Sequence, residues 1–530
     1  MTKGYICLVL HAHLPFVRYL KYEHVLEENW LYEAVSESFL PLLRMFRRLE
    51  SDNLPFKIVI SFSPTLCAML DDDLLQKRMV LHLESQIALG EKERERVKDD
   101  PELSSLVNMY LERYTRNLQD YTELYGCQLN KAFREMQKRG RLEIITSSAT
   151  HSFLPAFQEY PRAVEAQIET AVISHARTFG TEPKGFWLPE CGFYPGLESF
   201  LKNNNLGYFF AAANGILHAS EKPRYGTYAP VRCPNGTYAF GLDYQTLEDV
   251  ASPEKGYPAD YTYREFNRDI GFDLPEEYLG PFIYNNGARA NTGYKYYAKG
   301  LRDGENRVYN PEMALRKIEE HADNYIYKRL KLANKLSTQM DRPALTVNAF
   351  DIELFGRWWF EGPEFLESLI RKIADEPELD ITTPTKYIED HGDCQVSVPS
   401  FSSWGNNGYA EVWINSKNDW IYRHLHKAVD RLQELVERYP DEKGLKEWVL
   451  NQAAREVLLS QSSDWPFIMK MGSTVPYAVM RVKEHISNFT RIYEDLCRNT
   501  VNTEWVTRIE KRNNLFPDLD YRIFRSGEKN

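Results

Sequence analysis

The sequence predicts an α/β fold built on a parallel sheet or barrel, followed by a helical region. Three observations carry this expectation. Short apolar runs alternate with longer stretches of helical periodicity, the pattern of strand–helix–strand units. The runs are numerous enough to suit an incomplete TIM-like barrel better than an open nucleotide-binding sheet, although periodicity alone fits both. Beyond about residue 400 the apolar runs give way to helical patterns.

Taken in order, the first apolar run spans 5–10 and leads into His11-Ala12-His13-Leu14-Pro15. Leu31, Val35, Phe39, Leu42, Leu43 and Phe46 then follow helical spacing. A second run covers 56–61. Residues 74–140 are highly charged and helical in pattern, and read as a helical insertion. Its Glu91-Lys92-Glu93-Arg94-Glu95-Arg96 run reads as a solvated helix face. A third run, 142–147, precedes His151. Val164, Ile168, Ala171 and Ile173 mark the next helix, and 185–188 and 208–212 are further strands. Residues 215–300 are rich in Gly, Pro, Tyr and Asn, as expected of long loops over a barrel mouth. A strand over 344–350 follows, and 396–400 is a candidate for another. Helices are expected over 418–439, 442–462 and 476–499. The expected organisation is a catalytic barrel over 1–400, with its insertion at about 74–140 and active-site loops at about 215–300. A helical domain over 401–530 would contribute to the cleft.

Composition narrows the function. The chain has 530 residues and a net charge of −11, from 65 basic and 76 acidic side chains. That balance argues against a nucleic-acid partner, which calls for a basic face. It suits a neutral substrate such as a sugar polymer. The seven cysteines are scattered and odd in number, with no CxxC, as expected of a reduced, cytoplasmic protein without disulfides or a zinc knuckle. No export signal is recognisable, and no stretch approaches the roughly 18 apolar residues of a membrane span. P-loop, GxGxxG, HExxH and GxSxG motifs are absent from the sequence.

Chemistry-bearing residues gather where apolar runs stop, at the predicted C-terminal ends of strands. Alternation puts His11 and His13 on one side of an extended chain, able to bind a metal or to hydrogen-bond hydroxyls. His151 has the same placement after the third run. Glu190 follows Pro189 in Trp187-Leu188-Pro189-Glu190; it could also be a glutamate at a helix start. Asp351 and Glu353 share a face, with Asp351 nearer the end of the apolar run, and Trp358 and Trp359 follow. Two carboxylates flanked by indoles are what cutting or moving a glycosidic bond requires. Trp404 and Trp413 lie in or beside a polar segment rich in Gly and Asn, 403–409, where large rings suit sugar stacking better than a core.

These segments together resemble glycoside hydrolase family 57, closest to its 1,4-α-glucan branching enzymes and related α-amylases. The matching segments, in order, are His11-Ala12-His13, Ala149-Thr150-His151, Trp187-Leu188-Pro189-Glu190, Phe350 to Trp359, and Ser462-Ser463-Asp464-Trp465-Pro466. The resemblance implies an incomplete (β/α)7 barrel with a helical domain, no metal or cofactor, and an α-glucan substrate. It implies that Glu190 is the nucleophile and Asp351 the acid/base of a retaining reaction. His11, His13, His151 and Asp464 would bind the sugar at the cleavage point, with Trp187 and Trp358 beside it. Trp404 and Trp413 would stack on the glucan, and Trp30 would line the same cleft. Tyr238 would be the loop tyrosine that favours transfer over hydrolysis. Two positions depart from the branching enzymes: Arg357 stands in place of histidine and Phe272 in place of tryptophan. The expected activity is 1,4-α-glucan branching, with α-amylase or 4-α-glucanotransferase as the near alternative. A metal-dependent, deacetylase-like hydrolase and a non-catalytic glucan-binding protein are the remote ones.

Overall fold

The computed structural model describes residues 2–21, 25–282, 289–300 and 307–525. Part of the expected loop region, 283–288, therefore lies outside the described residues.

The strands are β1 (Gly4–Ala12), β2 (Ile58–Phe62), β3 (Leu142–Ser147), β4 (Gly185–Trp187), β5 (Tyr208–Ala211), β6 (Val231–Arg232), β7 (Tyr238–Gly241), β8 (Ala344–Asp351) and β9 (Leu379–Ile381). They form one sheet in the order β6-β7-β5-β4-β3-β2-β1-β8, with β9 also paired to β1. All these pairings are parallel except β6 with β7. The two ends of the curved sheet meet through a Leu242–Val347 bridge and a 2.8 Å bond from the Asp243 amide to the Val347 carbonyl. The result is a barrel closed at this seam by a single bridge rather than a full ladder, which is the incomplete TIM-like barrel expected.

Side-chain alternation sorts the strands into two cores. Cys7, Val9, Val59, Ile145, Trp187, Phe210, Val347 and Ala349 fill the barrel interior. Their neighbours Ile6, Leu8, Leu10, Ile58, Ile60 and Ile144 face outward into a larger core shared with the helices. Because the period is two, the next inward positions are dictated. They are His11 on β1, Ser61 on β2, Ser147 on β3 and Asp351 on β8, and in the β1–β8 register His11 stands beside Asp351. The polar site is thus the top layer of the barrel interior.

Four expectations are corrected. The ladder next to β5 is β7, inside the segment read as loops, and 396–400 contributes only a bridge between Val396 and Arg232. A short strand bounded by Gly236 and Gly241 offers too few residues for alternation to show. Glu93, read as part of a solvated face, is 0% exposed. It accepts hydrogen bonds from Tyr278, Tyr296 and Arg96, so the insertion packs against the later loops. Ile173 lies on the outer side of its helix, 40% exposed.

The insertion consists of helices Asp73–Arg96, Pro101–Gln119 and Leu129–Lys138, with a π turn at Asp120–Leu124. The C-terminal helices are Tyr422–Arg438, Leu445–Ser460, Asp464–Met471, Val475–Arg498 and Thr503–Arg512. Among the described residues no helix is long and apolar enough to cross a membrane.

Candidate active site

Glu190 sits in a tight turn directly after β4. The Cys191 amide bonds back to Leu188 at 2.8 Å and the Gly192 amide to Pro189 at 2.9 Å. The turn holds two successive non-glycine residues in the left-handed region, Glu190 at φ 62° and Cys191 at φ 51°. Such backbone costs about 1–3 kcal/mol per residue and persists only where its surroundings over-determine it. Here they do: the Trp404 amide bonds the Glu190 carbonyl at 3.0 Å. The helix-start reading of Glu190 therefore gives way to a strained turn that projects the carboxylate.

Both carboxylate oxygens are held. The Trp404 indole N–H donates to Oε2 at 2.9 Å and the Ser463 hydroxyl donates to Oε1 at 2.8 Å. Burial raises the Glu190 carboxyl above the usual range, and these two donors offset part of that rise. For Asp351 the offset comes from the nearby His13. Burial, then the negative charges of Glu353 and Glu190, push it up to about 7. Asp351 is thus the acid poised to keep a proton, beside a Glu190 whose two oxygens are held by donors that favour its charged form, the division of labour expected of an acid/base and a nucleophile.

The three histidines converge as the sequence predicts. His13 and His151 stack with ring centroids 3.7 Å apart, and His11 and His151 at 5.0 Å. His11 Nε2 lies 2.9 Å from His151 Nε2, and His13 Nε2 lies 3.1 Å from Asp464 Oδ2. Asp464 opens the helix Asp464–Met471 and also accepts from Ser462. Burial holds His11 and His151 well below the ordinary histidine range, helped by the neighbouring imidazoles. The Nε2 atoms of His11 and His151 face each other, and each Nδ1 lies beside a serine hydroxyl. Among the described residues no group of three or more His, Cys, Asp or Glu is arranged to hold a metal ion.

The tryptophans divide. Trp404 joins the site, as above. Trp187 is 0% exposed and stacks under His11 at 4.7 Å, with Trp404 edge-on to it at 5.3 Å. It forms the floor beneath the histidines rather than a surface for sugar. Trp358 is 39% exposed on the turn after β8, and its neighbour Trp359 is buried against Tyr263 and Phe365. Trp30 is half-buried and packs edge-on against Tyr477, 5.9 Å away.

Two expected site residues are placed elsewhere. Trp413 is 1% exposed, stacked on Phe153 at 5.0 Å beneath Gly405, whose Cβ position would lie 2.6 Å from the indole. The polar loop folds over the ring and makes it core. Trp413→Ala is accordingly expected to lower stability by about 3–5 kcal/mol in urea unfolding. Unchanged unfolding with a raised KM would restore the stacking role. Tyr238 begins β7, in register with Tyr208 and so with Gly185, at the strand end opposite Glu190. Its hydroxyl donates to the Gly392 carbonyl at 2.8 Å. It is a strand residue at the barrel's lower end, not a loop tyrosine over the cleft.

Sequence reasoning singled out neither Ser463 nor the pair Ser61 and Ser63, which stand 3.3 Å from His11 Nδ1 and 2.9 Å from His13 Nδ1. The alternation that exposed His11 and His13 at the end of β1 applies equally to Ser61 and Ser63 at the end of β2. Arg357 forks between Glu33 and Glu353, tying the turn after β8 to the helix Asn29–Glu33.

A barrel carrying one carboxylate locked by two donors and a second pushed up to about 7, walled by imidazole and indole, defines the class of carbohydrate-active enzymes that work with paired acids. Comparison with known proteins makes the class specific. The family model for glycosyl hydrolase family 57 matches residues 7–399, and that for the C-terminal part of 1,4-alpha-glucan branching enzyme matches 424–524. The chain belongs to glycosyl hydrolase family 57. It is 30% identical to a 1,4-alpha-glucan branching enzyme of Thermococcus kodakarensis, over 97% of this chain and 77% of that protein. Its structure superposes on the alpha-amylase AmyC of Thermotoga maritima with a TM-score of 0.93 and 38% identity, covering 99% of this chain and 100% of the other. For the branching enzyme of Pyrococcus horikoshii the TM-score is 0.89 and the identity 29%, covering 99% and 98%.

Proposed function

We propose that this protein is a retaining α-glucan enzyme that cleaves α-1,4 links and transfers the released chain to form α-1,6 branches. The observation that carries the chemistry is the pairing of Glu190, held by Ser463 and Trp404, with an Asp351 that burial and neighbouring charge push up to about 7. Glu190 attacks the anomeric carbon while Asp351 protonates the departing glycosidic oxygen, giving a covalent glucosyl-enzyme. Asp351, now ionised, takes the proton from the incoming hydroxyl, whose oxygen displaces Glu190. His13 and Asp464, both part-buried, face the sugar at the cleavage point, with His11 and His151 buried behind them, and Trp358 and Trp404 offer ring faces to the chain. Residues 1–400 act as the catalytic barrel and 401–530 as a helical domain that completes the cleft, the latter supplying Trp404, Ser463 and Asp464. We read the protein as cytoplasmic and its role as glycogen metabolism, in keeping with an acidic chain of scattered cysteines.

Branching is supported by the match of 424–524 to the C-terminal part of branching enzymes. Hydrolysis is the second reading, favoured by the likeness to AmyC and by a Tyr238 that lies away from the site. Incubation with amylose separates them. The expected result is new α-1,6 linkages, seen by debranching or proton NMR, with little rise in reducing ends. Rising reducing ends without α-1,6 links would make the protein an amylase.

A further inference from the structure

Ser463 stands at the junction between the barrel and the C-terminal helices. Its amide bonds the His151 carbonyl at 2.9 Å, and Ser152 bridges to Ser462 beside it. Thr150 donates to Leu458 and Gln167 to Gln461, so this seam is tied at several points. The Ser463 side chain lies between two site groups, 2.9 Å from His151 Nδ1 and 2.8 Å from Glu190 Oε1.

The direction of these bonds follows from proton counting. A carboxylate only accepts, so the Ser463 hydroxyl proton points at Glu190. The Ser463 oxygen must then accept from His151, which places the imidazole proton on Nδ1. His151 is buried and neutral, so its Nε2 is bare and accepts from His11 Nε2–H. His11, also neutral, is left with a bare Nδ1, which the Ser61 hydroxyl can supply at 3.3 Å. Each bond in the chain Ser61, His11, His151, Ser463, Glu190 thus orders the next, and all donate toward the carboxylate. Reversing any bond would leave a buried donor or acceptor unmatched.

We propose that Ser463 is a positioning residue that fixes Glu190 as an ionised, oriented nucleophile and sets the tautomers of His151 and His11. This rests on the assignment of Glu190 as nucleophile above. It also makes the seating of the helix Asp464–Met471 a condition for a competent nucleophile. Without the hydroxyl, the Glu190 carboxyl loses a donor that favours its charged form, and the His151 proton loses its acceptor.

Ser463→Ala is expected to lower kcat on amylose about 10- to 100-fold with KM within about twofold, the loss of one hydrogen bond to a charged group. The acidic limb of its kcat/KM profile should move to higher pH by about one unit, because Glu190 then protonates more readily. Ser463→Thr, which keeps the hydroxyl, should restore both. Trapping the glucosyl-enzyme with a fluorinated α-glucosyl fluoride, read by intact mass against pH, should show the same displacement without turnover. Should Ser463→Ala unfold, Ser463→Gly removes the hydroxyl at a backbone position glycine tolerates and carries the same test. A folded variant whose acidic limb stays at the wild-type position overturns the proposal. Glu190→Gln is run beside it: an inactive Glu190→Gln with an unmoved Ser463→Ala profile rejects only this role. An active Glu190→Gln rejects the nucleophile assignment itself.

Discussion

Glu190→Gln is expected to lower kcat on α-glucans by about 10⁴-fold or more, with thermal unfolding close to wild type. The substitution is nearly isosteric, and the amide can still accept from Ser463 or Trp404 through its remaining carbonyl oxygen. Packing around the strained turn is therefore preserved while the attacking charge is removed. The expected loss exceeds that of any surrounding residue because nothing else can form the covalent intermediate. Of the other acids at the site, Asp351 is needed as the acid/base and Asp464 is engaged by His13 and Ser462. Intact mass after incubation with a fluorinated α-glucosyl fluoride gives a second reading: a mass increment on the wild-type protein and none on the variant. Turnover by the glutamine variant within about tenfold of wild type would mean that the nucleophile lies elsewhere.

What could be read from the sequence divides along a physical line. Strand ends were legible because a buried parallel strand is a nearly continuous apolar run, and a polar residue where it stops must face either helix or barrel mouth. That logic places His11, Glu190 and Asp351 at one end of the barrel, and the structure adds that all three converge. It fails where partners come from distant chain. Ser463 bonds Glu190 across a separation of 273 positions, and no local pattern marks a serine for that role. It also fails where context reverses a residue's ordinary meaning. Trp413 in a polar, glycine-rich segment looks like a surface ring, yet Gly405 lets the backbone close over it. Tyr238 lies in a segment whose composition hides a four-residue strand, so its place at the lower end of β7 depends on register rather than composition.

Asp351→Asn should separate the two halves of the reaction. On amylose kcat/KM is expected to fall about 10²–10⁴-fold, the usual contribution of a general acid. On an α-glucosyl fluoride, whose leaving group needs no proton, formation of the glucosyl-enzyme should proceed at nearly the wild-type rate. Its breakdown should then stall, because the same carboxylate is needed to deprotonate the acceptor. Azide, a nucleophile that carries no proton to remove, should relieve the stall and yield an α-glucosyl azide, the stereochemistry that two displacements require. A β-azide would mean direct displacement and would sink the retaining scheme. The pH dependence adds a sign. Wild-type activity on amylose should decline as pH rises through about 7, where Asp351 loses its proton. In the asparagine variant, assayed with the fluoride for the first step, that decline should vanish while the acidic limb set by Glu190 persists. The proton on Asp351 is held there by burial and by the charges of Glu353 and Glu190. On the proposed mechanism, the feature that makes Asp351 an acid is thus partly the charge of Glu190, and once Glu190 is glycosylated that charge is gone. Asp351 then becomes easier to ionise at the step where it must act as a base.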